Sequence, residues 1–204
     1  MELLVIRHAE PVRVTAAETG GAPADPGLTD RGHEQSRRLA AWLADEGVDR
    51  VISSPLRRAV ETAAPLAAAL GIEVEIDDEL CEYDRAADSY IPVEEMRADK
   101  DERWLAMVEG RWEDFGGENP ATFRARIVPC LNRIIESSAG GRVAAVCHGG
   151  VINVYLAAVL GLDRHLWFEP GYTSISRVHA ARSGPRSLST LNETAHLVGV
   201  REPA

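Results

Sequence analysis

The 204-residue chain is poor in cysteine, has no surplus of positive charge, and has no long apolar run. Its three cysteines, Cys81, Cys130 and Cys147, have no C-x-x-C spacing, so neither a zinc ribbon nor a disulfide framework is supported. A thiolate phosphatase loop needs an arginine six residues after the cysteine. Here those positions are Ala87, Glu136 and Asn153. No apolar stretch approaches the ~20 residues that span a bilayer. The N-terminus enters an apolar strand with no basic leader and no small-residue cleavage site. From these absences a cytoplasmic location and no membrane partner are expected. Lys and Arg total 22 against 32 Asp and Glu, a net charge of −10, which argues against binding to nucleic acid or acidic membranes. It does not argue against a small anion, because local arginines set a pocket's field. No metal-ligand spacing is present, so no metal and no cofactor are expected.

What is present fits one well-buried domain over residues 1–204: 45% hydrophobic and 26% charged residues, with no repeat or interdomain linker. The run Leu3-Leu4-Val5-Ile6-Arg7-His8 is apolar and β-prone, ends in two basic residues and is bounded by Pro11, which predicts a buried strand. Residues 11–27, rich in glycine and proline, predict a long loop. A helix follows, with Thr29 or Asp30 as its cap and Leu39, Trp42 and Leu43 on one face. A short strand at 49–54 leads through Pro55 into a helix that reaches Leu70, and 72–76 alternates as a further strand. This β-α-β-α-β order predicts an α/β fold with a mainly parallel sheet. Residues 77–120 interrupt it as an acidic, lid-like insertion, helical at about 93–110 and carrying Tyr83, Tyr90, Trp104 and Trp112, which fit either a substrate lid or the insertion's own core. Pro120 opens a helix to about Ser138 that Pro129 is expected to kink or break. Strand 142–147, an apolar helix from Gly149 to Leu160 and two final strands complete the chain. The apolar helix and the final strands are where a homodimer would be sought.

Ligands of open α/β sheets gather at the carboxyl ends of the strands. Arg7 and His8 end the first strand; His148, followed by Gly149 and Gly150, ends a later one. Arg57 and Arg58 stand in the first turn of a helix, where positive charge opposes the macrodipole and calls for an anion. Glu82 follows the strand at 72–76, although Asp77, Asp78, Glu79 and Asp84 are equally acidic neighbours. Arginines give planar bidentate bonds, and a glycine-rich helix start offers N–H groups to a tetrahedral oxyanion such as phosphate. With no metal motif, the nucleophile should be a side chain. A neutral imidazole, kept neutral by nearby arginines, is one candidate. Glu82 is a candidate donor of the leaving group's proton. His33, His165, His179 and His196 are scattered and fit structural or surface roles.

Arg7-His8-Ala9-Glu10 resembles the R-H-G-E signature of the histidine phosphatase superfamily, in its phosphoglycerate mutase-like branch. Leu28-Thr29-x-x-Gly32-x-x-Gln35, Ser53-Ser54-Pro55-Leu56-Arg57-Arg58-Ala59-x-x-Thr62-Ala63, Leu80-Cys81-Glu82, Val146-Cys147-His148-Gly149-Gly150 and Thr173-Ser174-Ile175 follow in that family's order. The resemblance implies a three-layer α/β/α sandwich and a metal-independent phosphatase acting on small phosphorylated substrates. His8 would become phosphohistidine, while Arg7, Arg58 and His148 would hold the phosphoryl group. Glu82 would act as acid and then base. Gly149 and Thr29 would be further contacts, although Thr29 also suits a helix cap. Arg57 falls on a variable position and is expected beside the site. A phosphoglycerate mutase and a non-catalytic phospholigand-binding module are the alternatives. Departures from the pattern are Ala9 for the usual glycine, Val14 where an asparagine often contacts phosphate, and Tyr83 to Tyr90 in place of a tryptophan-containing wall.

Overall fold

The computed structural model describes residues 1–199 of the chain. Six strands form one sheet: β1 (Glu2–Arg7), β2 (Arg50–Ser53), β3 (Val74–Ile76), β4 (Arg142–Cys147), β5 (Ile175–Ala180) and β6 (Arg186–Glu193). Their spatial order is β3-β2-β4-β1-β5-β6. The first four run parallel, while β5 pairs antiparallel with β1 and β6 antiparallel with β5. Seven α-helices connect them: α1 (Ala16–Thr19), α2 (Asp30–Leu43), α3 (Arg57–Leu70), α4 (Val93–Ala98), α5 (Glu102–Glu109), α6 (Pro120–Glu136) and α7 (Gly149–Leu160). Among the described residues, no helix is long and apolar enough to cross a membrane.

Strand side chains alternate between faces, and a sheet covered on both sides must be apolar on both. Leu3 and Val5 join Val143, Ala145, Phe123, Leu131 and Val151 in a core beneath α6 and α7. Their chain neighbours Leu4 and Ile6 face the other way, with Ala144, Val146, Leu39 and Leu66 beneath α2 and α3. That division of one continuous apolar run into two cores makes the predicted three-layer sandwich.

Three expectations are changed. Pro129 neither breaks nor ends α6, which is one element of 17 residues. Pro129 and Ala125, whose carbonyl loses its helical donor, are both exposed, so water can take that bond. The helical stretch of the insertion is two helices, because Asp101 caps α5 by accepting from Arg103 N–H after Lys100 has turned to φ 54°. The predicted 11–27 loop carries a one-turn helix, α1, at Ala16–Thr19. Eight residues of α7, Gly150 to Ala157, are buried.

The insertion rests on loops from both sides. Val14 and Tyr90 exchange backbone hydrogen bonds at 2.9 and 2.8 Å. Arg13 pairs with Glu95 at 2.9 Å, Arg97 pairs with Glu169 at 2.6 Å, and the Tyr172 hydroxyl donates to Glu94 at 2.6 Å. Helix α4 is thereby tied over the carboxyl ends of the central strands.

Candidate active site

The parallel register of β1 and β4 pairs Arg7 with Cys147, so His8 and His148 are the next residues out of the sheet at the same edge. The His8 amide donates to the Cys147 carbonyl at 2.9 Å, which locks the two strand ends together. The imidazole centroids lie 5.1 Å apart.

His8 is 2% exposed, and its Nδ1 lies 2.8 Å from the Ala9 carbonyl oxygen. A carbonyl only accepts, so Nδ1 carries the proton and Nε2 keeps its lone pair. Burial, with Arg58 and Arg7 adding repulsion, holds the His8 pKa well below its ordinary value. The Ala9 amide in turn donates to Thr62 Oγ1, and Thr62 donates to the Arg58 carbonyl, so β1 and α3 are joined beside the histidine.

His148 is fully buried, with Nε2 2.8 Å from Ser54 Oγ and no partner at Nδ1. The Leu56 amide donates to Ser54 Oγ, so the Ser54 hydroxyl proton is free to go to His148 Nε2. In the tautomer in which that hydroxyl donates, His148 carries its proton on Nδ1 as a donor. Its pKa is also held well below the ordinary value, by burial first and then by Arg58 and His8.

Two buried guanidinium groups complete the basic end. Arg7 donates to the Pro170 carbonyl at 2.6 Å and lies 4.1 Å from the Tyr172 ring centroid. Arg58 is 1% exposed, lies 4.6 Å over the Tyr90 ring and has Asp84 as an ion-pair partner at 3.6 Å. Each arginine is thus held by an aromatic face, a use of the guanidinium plane that lysine lacks.

Glu82 is 7% exposed, and its carboxyl accepts from Gly150 N–H at 2.7 Å and from Tyr83 N–H at 3.1 Å. Burial, reinforced by the negative charge of Asp84, raises its pKa to about 7. A Cβ at Gly150 would stand 2.3 Å from Glu82 Oε1, so any larger residue there would displace the Glu82 carboxyl. The start of α7 was expected to offer both glycine amides to an anion. Instead the Gly150 amide is committed to Glu82, and both glycines line the cavity.

Arg7, His8, Arg58, Glu82, Gly149 and Gly150 therefore line one cavity of about 370 Å³; His148 is fully buried and not on that lining, with its ring centroid 5.1 Å from that of His8. Two further sequence-predicted contacts do not reach it. Thr29 caps α2, accepting from Gly32 N–H at 3.0 Å and donating to Glu10. Arg57 is turned to solvent with a 63% exposed side chain, paired with Glu61 at 2.6 Å, because successive residues on a helix point about 100° apart and Arg58 takes the inward direction. Val14 takes no part in the cavity lining; its position serves as the backbone tether of Tyr90. Sequence reading gave no role to Tyr172, Ser54 or Thr62 and weighed Asp84 only as an alternative acid. Ser54 and Thr62 sit inside the quoted motif and Asp84 two residues after Glu82, but only tertiary contact shows what they hold.

The model of the histidine phosphatase superfamily (branch 1) matches residues 3–194. Phosphoserine phosphatase 1 of Hydrogenobacter thermophilus is 31% identical over 201 residues, covering 97% of this chain and 94% of its own. A probable phosphoglycerate mutase of Yersinia enterocolitica is 27% identical over 169 residues, 81% of this chain and 77% of its own. Among solved structures, a mycobacterial glucosyl-3-phosphoglycerate phosphatase in complex with inorganic phosphate superposes with a TM-score of 0.75. It is 27% identical and covers 96% of this chain and 98% of its own.

Proposed function

The chain belongs to the histidine phosphatase superfamily, branch 1, and is a phosphatase of that family; from this we propose that it hydrolyses small phosphomonoesters through a phosphohistidine at His8, without a metal, as a single domain with residues 77–120 folded over the site. One observation carries the reading. The Nδ1–H bond to the Ala9 carbonyl leaves His8 with a free Nε2 lone pair between two buried arginines.

In the first step Nε2 attacks phosphorus, the bond from phosphorus to the ester oxygen breaks, and Glu82 gives its proton to the departing alkoxide. A carboxyl with a pKa of about 7 is protonated often enough to do so at neutral pH. In the second step Glu82, now a carboxylate, takes a proton from water, whose oxygen attacks phosphorus. The P–N bond breaks, inorganic phosphate leaves, and both residues return to their starting protonation. Arg7, Arg58 and the His148 Nδ1–H neutralise and orient the three equatorial oxygens, and such preorganised charge is the main protein contribution to phosphoryl transfer. A cytoplasmic location belongs to the same proposal.

The test compares wild type with His8→Ala on p-nitrophenyl phosphate in the presence of EDTA. Wild type is expected to release phosphate with the chelator present and to carry an acid-labile phosphoryl group at steady state. His8→Ala is expected to lose turnover by about 10³-fold or more. Undiminished turnover in His8→Ala, or a strict metal requirement, would sink the reading. Isomerisation of 3-phosphoglycerate outpacing phosphate release would mark a mutase instead.

A further inference from the structure

The cavity is far larger than a phosphoryl group needs, and its character changes along its depth. At about 370 Å³ it falls within the range of sites that enclose drug-sized ligands (roughly 300–1,000 Å³). Its inner end carries Arg7, His8, Arg58 and Glu82. Beyond the ester-oxygen position the walls are apolar: Met96 from α4, Trp104, Met107 and Val108 from α5, and Trp167 and Phe168 from the loop after α7. Val108 is 54% exposed, a large apolar side chain facing the open part of the cavity with little cover from the chain itself.

The polar groups of Tyr90 and Asp84 sit beside Arg58, and Tyr83 beside Glu82, at the inner end; farther out they are few. Asn153 lines the cavity, but its amide is fully used: Nδ2 donates to the Gly149 and Phe168 carbonyls, and Oδ1 accepts from the Trp167 and Phe168 amides. Three of those four bonds hold the aromatic wall, the fourth stays within α7, and nothing is left for a ligand. Of the charged residues beyond the inner end, Glu169 is paired with Arg97 at 2.6 Å, and Arg164 is exposed at the rim. An amino-acid or sugar-acid phosphate would place an ammonium group or hydroxyls against this wall and would lose water contacts without replacement, with only the exposed Arg164 on the lining to meet a carboxylate.

Resting on the phosphatase reading above, we propose that the substrate's alcohol is apolar: an alkyl or aryl body, joined through the ester oxygen, that fills the space between α4–α5 and the 166–168 loop. Water against such a wall makes few hydrogen bonds, so an apolar body that displaces it gains the full transfer free energy.

The experiment measures kcat/KM for wild type on n-alkyl phosphates from methyl to octyl. Their leaving-group acidities are nearly constant, so the chemical step stays fixed while the apolar area grows. The expected result is a rise of about three- to fourfold per added methylene up to about six carbons. Octyl and 2-phenylethyl phosphate, with equal carbon counts, then distinguish a chain from a ring, and a preference for either bears the proposal out. Val108→Asp, on the exposed side of α5, is expected to shrink the octyl-to-methyl ratio by about tenfold. A flat or falling series in which methyl phosphate is still hydrolysed in a His8-dependent manner overturns the apolar specificity alone. The same holds if O-phosphoserine is preferred over octyl phosphate. No His8-dependent turnover of any ester overturns the phosphatase reading and this inference with it.

Discussion

Burial alone would make Glu82 a weaker acid than it is in water, and two backbone amides alone would make it a stronger one. The position between them, near 7, comes from desolvation aided by Asp84 and opposed by the Gly150 and Tyr83 N–H groups and Arg58. The sign of a prediction follows. The acid is competent while protonated, so kcat/KM falls as pH rises through about 7. An anionic Asp84 disfavours a second negative charge on Glu82, so Asp84→Asn lowers the Glu82 pKa and moves the falling limb to lower pH. The acid side stays in place, because His8 is already held neutral by burial and the arginines. A pH profile of kcat/KM checks this, and a limb that stays put or moves up rules Asp84 out as the tuning charge. At this scale the sequence left Glu82 among several acidic neighbours. The family resemblance singled it out, and the approach of α7 to within 2.7 Å of its carboxyl is the physical difference from the rest.

Short helices do not hold themselves together, and α4, with six residues, is well below the length that is stable alone. Its position depends on tethers, of which the Tyr172–Glu94 hydrogen bond spans from the loop beside Arg7 to the insertion. Tyr172→Phe removes that bond and keeps the ring against Arg7. A part-buried bond to a carboxylate contributes about 1 to 2 kcal/mol, so KM is expected to rise severalfold, with a smaller change in kcat. Amide exchange over residues 93–98 should quicken in the same variant, and unaltered exchange would show that α4 is held by other contacts. Element boundaries were legible where the local signal is strong, as at Gly149–Leu160. They were not at Pro129, because exposure of the affected carbonyl is a tertiary fact.

The two cores share one sheet, so neither layer can fold to its final packing without the other. Leu4 is fully buried at the centre of the sheet, beneath α2 and α3. Leu4→Ala is expected to destabilise the whole molecule by about 2 to 5 kcal/mol, from lost burial and the cavity left behind. Urea unfolding followed by circular dichroism and by tryptophan emission should give one coincident transition. The tryptophans report from both regions, with Trp42 on α2 and Trp112 packed on α6 beside Phe123. Two separate transitions would show that the insertion is an independent unit rather than part of a single domain.

The order of the strands along the chain and the two histidines at strand ends were determined by the sequence alone, because period and capping are local and survive without knowledge of packing; the choice of Arg58 over Arg57 came from the family resemblance. The three-layer sandwich was foreseen from the family resemblance rather than from periodicity. What only the tertiary structure decided is which polar groups meet. Register places His8 beside His148, and the Ala9 carbonyl sets which nitrogen of His8 is free. The Tyr90 and Tyr172 rings fix the guanidinium groups, and Asn153 spends three of its four side-chain hydrogen bonds on the apolar wall. Those facts depend on distances of a few ångströms between residues far apart in the chain. Hydrogen bonding and desolvation change steeply over such distances, and no local pattern encodes them.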